Sequence, residues 1–265
     1  MCSKEPSSGR RFEHQQPPSW AKSPHWSEVC EQQVLRCGIR ACRRAPEGPD
    51  RLSPHSLCDM AAKHVAILGA GMIGEVHRRA AVLAGAQVVG VMASSLERSR
   101  EVARAWGVEQ AYGSVEEVAE SKAEIVHICT PNASHVPYAV SLMEAGKHVL
   151  CEKPLGISLE DAQYAAKVAE DTGVVNTIPF AYRFHPMARE MRARVQSEEF
   201  GAINLMHGSY LQDWLLNPKA TSWRVDPKTG GPSRAFGDIG SHWCDLVEWV
   251  TGDRIARLVD RKSVV

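Results

Sequence analysis

Lys153 stands in the run Cys151-Glu152-Lys153-Pro154, directly after the apolar stretch Lys147-His148-Val149-Leu150. Far downstream come Asp238 and His242, in Asp238-Ile239-Gly240-Ser241-His242, and upstream lies Gly69-Ala70-Gly71-Met72-Ile73-Gly74. Oxidising an alcohol by hydride transfer needs a base for the hydroxyl proton while hydride leaves carbon for a nicotinamide. A lysine serves when burial or a neighbouring cation disfavours its charged form, and oxidised nicotinamide is itself a cation. Lys153 falls just past a candidate strand, where ligands of open α/β sheets bind, and Pro154 biases it away from helix. Taken alone, it is also readable as a surface lysine at a strand end.

Asp238 and His242 face the same way if a helix starts there. Gly237 and Gly240 flank the aspartate and would let the backbone approach a ligand. His242 can donate to or accept from a substrate hydroxyl, and Asp238 can orient it. The other reading is a capping aspartate and a packed histidine on a helix with Trp243, Leu246, Val247 and Trp249.

The glycines follow a strand and open a helix, the context this pattern needs. Gly69 permits a tight turn, Gly71 lets backbone approach a pyrophosphate, and Gly74 lets helix and strand pack. The phosphates would meet the free N–H groups around Met72 and Ile73 at the positive end of the helix. A second strand then decides the ribose contact. An NAD site places an acid about 20 residues past the glycines, whereas Ala93-Ser94-Ser95-Leu96 has none at the strand end. Ser94, Ser95 and Arg98 could hold a 2′-phosphate, which leans the reading to NADP with NAD open. Alternatively Ser95 is an N-cap and Arg98 a solvated helix residue.

The elements that must position these residues alternate short apolar runs with helical stretches, the mark of βαβ units and a parallel sheet. Strands are expected over Val65–Leu68, Gln87–Met92, Ile125–Thr130, His148–Cys151 and Val174–Pro179, and helices over Gly74–Ala84, Leu96–Trp106, Val115–Glu120 and His135–Glu144. Ser158 caps a helix to about Asp171, ended by Gly173. Pro186–Ser197 reads as a helix, Ala202–Gln212 as an alternating strand, and Ile255–Val265 as a last short strand.

Residues 1 to 59 show neither period and are rich in Pro, Ser, Arg, Gln and Cys, so they read as a disordered extension, with Met60 as the expected true start. Arg10-Arg11-Phe12 lacks the apolar region of an export signal, which favours a cytoplasmic protein. Cys30, Cys37 and Cys42 lack the paired spacing of zinc ligands. With 31 basic and 31 acidic side chains, nothing favours nucleic acid or a membrane surface as partner, and no apolar run is long enough to span a bilayer. Domains are expected at 60–180, binding the nucleotide, and 181–265.

Gly69-Ala70-Gly71-Met72-Ile73-Gly74, Thr130-Pro131-Asn132-Ala133-Ser134-His135, Cys151-Glu152-Lys153-Pro154-Leu155 and Gly237-Asp238-Ile239-Gly240-Ser241-His242-Trp243-Cys244-Asp245 occur in an order and spacing that resembles the Gfo/Idh/MocA family, named for glucose–fructose oxidoreductase and inositol dehydrogenase. The resemblance covers about residues 62–260. It implies a Rossmann domain, then an α/β domain with a mostly antiparallel open sheet, and NAD or NADP with sugars, inositols or related polyols. It implies Lys153 as the base, His242 on the reacting hydroxyl and Asp238 positioning them. Thr130, Pro131, Asn132 and His135 would line the cofactor, with Glu152 beside them. Tyr182-Arg183 and Trp223-Arg224 would approach the nicotinamide and substrate.

Family members run well beyond the Asp-x-x-x-His helix, so the resemblance also implies that part of the second domain, and the sheet through which relatives form homo-oligomers, is missing here. These 265 residues alone are then expected to be poorly soluble or weakly active. Three readings follow: an NAD(P)-dependent dehydrogenase of a sugar, inositol or anhydrosugar; an NAD-dependent glycoside hydrolase; and a non-catalytic nucleotide-binding fragment.

Overall fold

A computed structural model describes residues 62–259 apart from positions 198, 214 and 218. The 1–59 extension, the start at Met60 and the end of the Ile255–Val265 strand lie outside the described residues.

Six parallel strands make one sheet in the order β3-β2-β1-β4-β5-β6. They are β1 (His64–Leu68), β2 (Gln87–Met92), β3 (Gln110–Tyr112), β4 (Ile125–Ile128), β5 (His148–Cys151) and β6 (Asn176–Thr177). The crossovers carry α1 (Met72–Leu83), α2 (Leu96–Trp106), α3 (Val115–Glu120), α4 (His135–Glu144) and α5 (Leu159–Thr172). Side chains alternate along β1, and both sets are buried. Val65 and Ile67 pack with Ala81 of α1, whereas Ala66 and Leu68 pack with Ala139 and Leu142 of α4. Burial on both faces is why this strand reads as a continuous apolar run. The side chains of Ser95, Ser114 and Ser158 cap α2, α3 and α5. Gly107 and Gly173 end α2 and α5 in the left-handed conformation.

The strand order reverses at β1, between β2 and β4, and the loops after three adjacent strands are tied together there. Gly69 N donates to Met92 O at 2.8 Å, Cys129 N to Leu68 O at 2.7 Å and Glu152 N to Ile128 O at 2.9 Å. The ladder thus continues past the carboxyl ends of the strands, and the loops bearing Gly69, Thr130 and Lys153 leave from one crevice.

The chain then forms α6 (Pro186–Val195), a short α7 (Pro227–Gly230), a π-helical turn at Phe236–Gly240 and α8 (Ser241–Thr251), which packs on α6. The β3 strand was not expected from sequence; three residues at the edge of a sheet are too few for a period. The last strand is shorter than Val174–Pro179, and α6 stops before Ser197. Neither Ala202–Gln212 nor Ile255–Val259 is a strand, and none follows β6 among the described residues, so the expected antiparallel sheet is absent from them. A strand exists only with a hydrogen-bonded neighbour, and alternation alone cannot provide one. Leu205, Leu211 and Leu216 are 84%, 86% and 78% exposed.

Candidate active site

The glycine turn is built as its spacing demands. Gly69 has φ +95°, and a Cβ there would lie 2.4 Å from Cys129 O; one at Gly74 would lie 1.9 Å from Gly69 O. These two glycines make room for the protein itself. A Cβ at Gly71 would meet nothing within 4 Å. Gly71 caps α1 with no side-chain cap bond and, with Met72, is exposed, so the first N–H groups of the helix lack intrahelical partners at its positive end. Such a surface fits the pyrophosphate of a dinucleotide.

At the end of β2, Ser95 and Arg98 both have partners within the protein. The Ser95 hydroxyl accepts from Arg98 N at 3.2 Å as the helix cap, and Arg98 Nη1 pairs with Glu101 at 2.6 Å on the exposed face. Both residues thus have structural work, and only Ser94 of the expected phosphate-binding trio stands exposed without that commitment to the cap.

Lys153 and Asp238 meet. Lys153 Nζ donates to Asp238 O at 2.9 Å and to Oδ1 at 3.1 Å. Asp238 sits in the π-helical turn, a local widening frequent at functional sites. Arg224 Nε approaches the same carboxylate at 3.6 Å, and its guanidinium lies over the Trp223 ring at 4.5 Å. From sequence Gly237 and Gly240 were expected to let the backbone approach a ligand; in the structure the space beside them is filled by the protein itself. A Cβ at Gly237 would meet Ser233 Oγ at 2.4 Å, and one at Gly240 the Phe236 ring at 2.7 Å. They allow the turn to fold against its own side chains.

His242 projects into an aromatic setting, with ring centroids of Tyr182, Phe180 and Tyr210 at 4.7, 5.9 and 6.4 Å. Burial pushes His242 down to about 4 and the nearby Lys153 charge adds to this, against the opposing pull of Glu152 and Asp238. The ring is therefore neutral near pH 7, with its Nδ1 buried and lacking a hydrogen-bond partner. Burial and the bond to Tyr210 push Tyr182 up to about 12, so its phenol stays protonated.

The 130–135 segment is held by its own backbone partners. Asn132 Nδ2 donates to Gly230 O at 2.8 Å, and the His135 ring nitrogens lie 2.7 Å from Pro154 O and from Thr130 O. Asn132 and His135, expected to line the cofactor, tie their loop to α7 and to the lysine loop. Thr130 Oγ1 accepts from the Ser134 hydroxyl at 2.7 Å, and Thr130 and Pro131 stay partly exposed at the crevice. Arg183, expected near the nicotinamide, spreads both its Nε and Nη2 on Asp245 of α8. Asp245 is buried, so its carboxylate depends on this guanidinium for compensation.

Residues 63–180 match a family described as an oxidoreductase family with an NAD-binding Rossmann fold, GFO_IDH_MocA, and residues 188–260 match the GFO/IDH/MocA C-terminal domain. The chain belongs to the GFO/IDH/MocA oxidoreductase family. Levoglucosan dehydrogenase of Pseudarthrobacter phenanthrenivorans is 32% identical over 159 residues, 59% of this chain and 40% of the relative. An oxidoreductase domain protein from Kribbella flavida superposes with a TM-score of 0.69 at 31% identity, over 74% of this chain and 55% of that one. Levoglucosan dehydrogenase in complex with NADH and levoglucosan gives 0.66 at 29% identity, over 73% and 55%. The chain spans about half the length of the curated relatives it matches.

For this GFO/IDH/MocA member, sequence reasoning missed His77, His127 and Tyr210. His77 Nε2 lies 3.0 Å from Glu152 Oε1, and its Nδ1 lies 3.3 Å from His127 Nδ1. Burial raises Glu152, but the His77 bond and charge and the Lys153 N–H and charge outweigh it and hold the carboxyl below its usual range. A signal existed: His77 comes three residues after Gly74, one turn along the same helix face. His127 pairs in register with Ile67 and so points to the face that α1 covers.

Proposed function

We propose that the chain carries the cofactor site and catalytic cluster of an NAD(P)-dependent dehydrogenase that oxidises a hydroxyl of a sugar, inositol or anhydrosugar. The observation that carries this reading is the Lys153–Asp238 pair with His242 beside it, at the carboxyl edge of a parallel sheet next to an open glycine turn. A bound nicotinamide supplies the hydride acceptor. Lys153, as the free amine, takes the hydroxyl proton as the carbonyl forms. Asp238 orients the amine from two oxygens, and neutral His242 exchanges a hydrogen bond with the reacting oxygen. Arg224 adds a second cation beside Asp238, and its guanidinium lies over the Trp223 ring. Gly69, Gly71, Met72, Ile73 and Gly74 would hold the pyrophosphate, and Thr130 and Pro131 would border the nicotinamide side. The chain divides near residue 180 into nucleotide and substrate portions.

Relatives named for levoglucosan and for glucose 6-phosphate support a sugar-like substrate. No helix among the described residues is long and apolar enough to cross a membrane. A cytoplasmic setting accords with the buried free thiols of Cys129, Cys151 and Cys244. The test is a sugar and polyol panel with NAD and NADP, run beside Lys153→Ala. NAD(P)H should accumulate with the unaltered chain and fall by about 100-fold or more in the variant. Equal turnover of the two would refute the role of Lys153.

A further inference from the structure

Three side chains form a buried line behind Lys153. His77 on α1 and His127 on β4 are each 8% exposed, and Glu152 lies on the loop after β5. One carboxylate oxygen of Glu152 meets His77 Nε2 at 3.0 Å, and the other accepts from the Lys153 backbone N–H at 3.1 Å. A carboxylate engaged on both oxygens is an acceptor on both, so Nε2 of His77 carries a hydrogen. Burial and the His77 charge push His127 down to about 4, so His127 is neutral and brings a single N–H. One hydrogen between the two Nδ1 atoms, at 3.3 Å, completes the line. Cys129 and Cys151 flank Glu152 as thiols, since burial first and the Glu152 charge second push both upward. Neither competes for the carboxylate as a base.

We propose that His77 is a positioning residue for the base: its Nε2–H holds one oxygen of Glu152 so that the other fixes the backbone of Lys153, from which Nζ reaches Asp238. The inference rests on the reading of Lys153 as the base. A lysine side chain has four rotatable bonds, and an amine is placed to within a fraction of an ångström only if both its root and its tip are held. Asp238 holds the tip; Glu152, oriented by His77, holds the root. Without His77 the carboxylate is free to turn, and turning releases the Lys153 N–H.

Two measurements on the full chain test this. In 15N spectra of histidine-labelled protein, His77 should show a protonated Nε2 whose shift moves in Glu152→Gln; an unprotonated Nε2 would overturn the proposal. In turnover, His77→Ala should lower kcat by about 10- to 100-fold, the cost of misplacing a reacting group by about 1 Å, with the cofactor KM held within about twofold. His77→Gln, which returns an amide N–H, should recover most of the loss. Full kcat in His77→Ala while Lys153→Ala is inactive would overturn the proposal alone. Full turnover in Lys153→Ala would instead remove the base assignment, and the nitrogen shifts would still decide the His77–Glu152 bond.

Discussion

Lys153 and Asp238, separated by 85 positions, are joined by two hydrogen bonds from one Nζ, to the backbone carbonyl at 2.9 Å and to the carboxylate at 3.1 Å. The first needs only the fold of the π-helical turn; the second needs the aspartate side chain. Asp238→Ala should therefore keep one anchor and lose the other, lowering kcat by about 100-fold. Asp238→Asn retains an acceptor oxygen and should lose about tenfold less. Equal kcat in the two variants would show that the carboxylate does not orient the amine.

The glycine turn separates a packing role from a binding role. Gly74→Ala drives a Cβ against Gly69 O, at 1.9 Å, and should destabilise the fold by a few kcal/mol, on the scale of about 1–3 for overpacking. Gly71→Ala meets nothing within 4 Å and has an ordinary φ of −80°, so its Tm should stay put while its affinity for NADH falls. Unchanged NADH affinity in Gly71→Ala, by fluorescence titration, would place the pyrophosphate elsewhere.

Arg183→Ala removes the guanidinium from buried Asp245, whose side chain is 2% exposed. An uncompensated buried charge costs about 3–5 kcal/mol. Burial already pushes Asp245 upward despite Arg183, so in the variant it should take up a proton and the loss should be smaller at pH 5 than at pH 8. The cofactor KM should hardly move. A large rise in that KM with an unchanged urea midpoint would assign Arg183 to the cofactor instead.

His127 should make stability fall on acidification. Its folded value of about 4 lies below the ordinary 6.5, so the unfolded chain binds the proton first. The contribution is complete above pH 6.5 and is lost as pH falls from 6.5 towards 4, amounting to about 3 kcal/mol for a shift of this size. Urea midpoints of His127→Leu should fall less steeply across that window than those of the unaltered chain. Parallel slopes would mean that His127 titrates alike in the folded and unfolded chain.

Much of the nucleotide half was legible in order along the chain. Alternation and apolar runs marked β1, β2, β4 and β5, serines and glycines marked the helix ends, and Gly69, Gly71 and Gly74 marked the turn, because each depends on residues within a few positions of one another. Lys153, Asp238 and His242 could be named from residue type and spacing, and the resemblance joined them. Tertiary structure decided which neighbours claimed the remaining polar groups. Arg183 went to Asp245, Asn132 to Gly230, His135 to two carbonyls and Glu152 to His77, pairings that span from 5 to 98 positions. A buried donor or acceptor must find a partner, and that partner is set by packing, not by sequence distance. The same rule explains why Ala202–Gln212 alternates like a strand yet is none: its pattern is local, whereas the hydrogen bonds that would make it a strand belong to a neighbour.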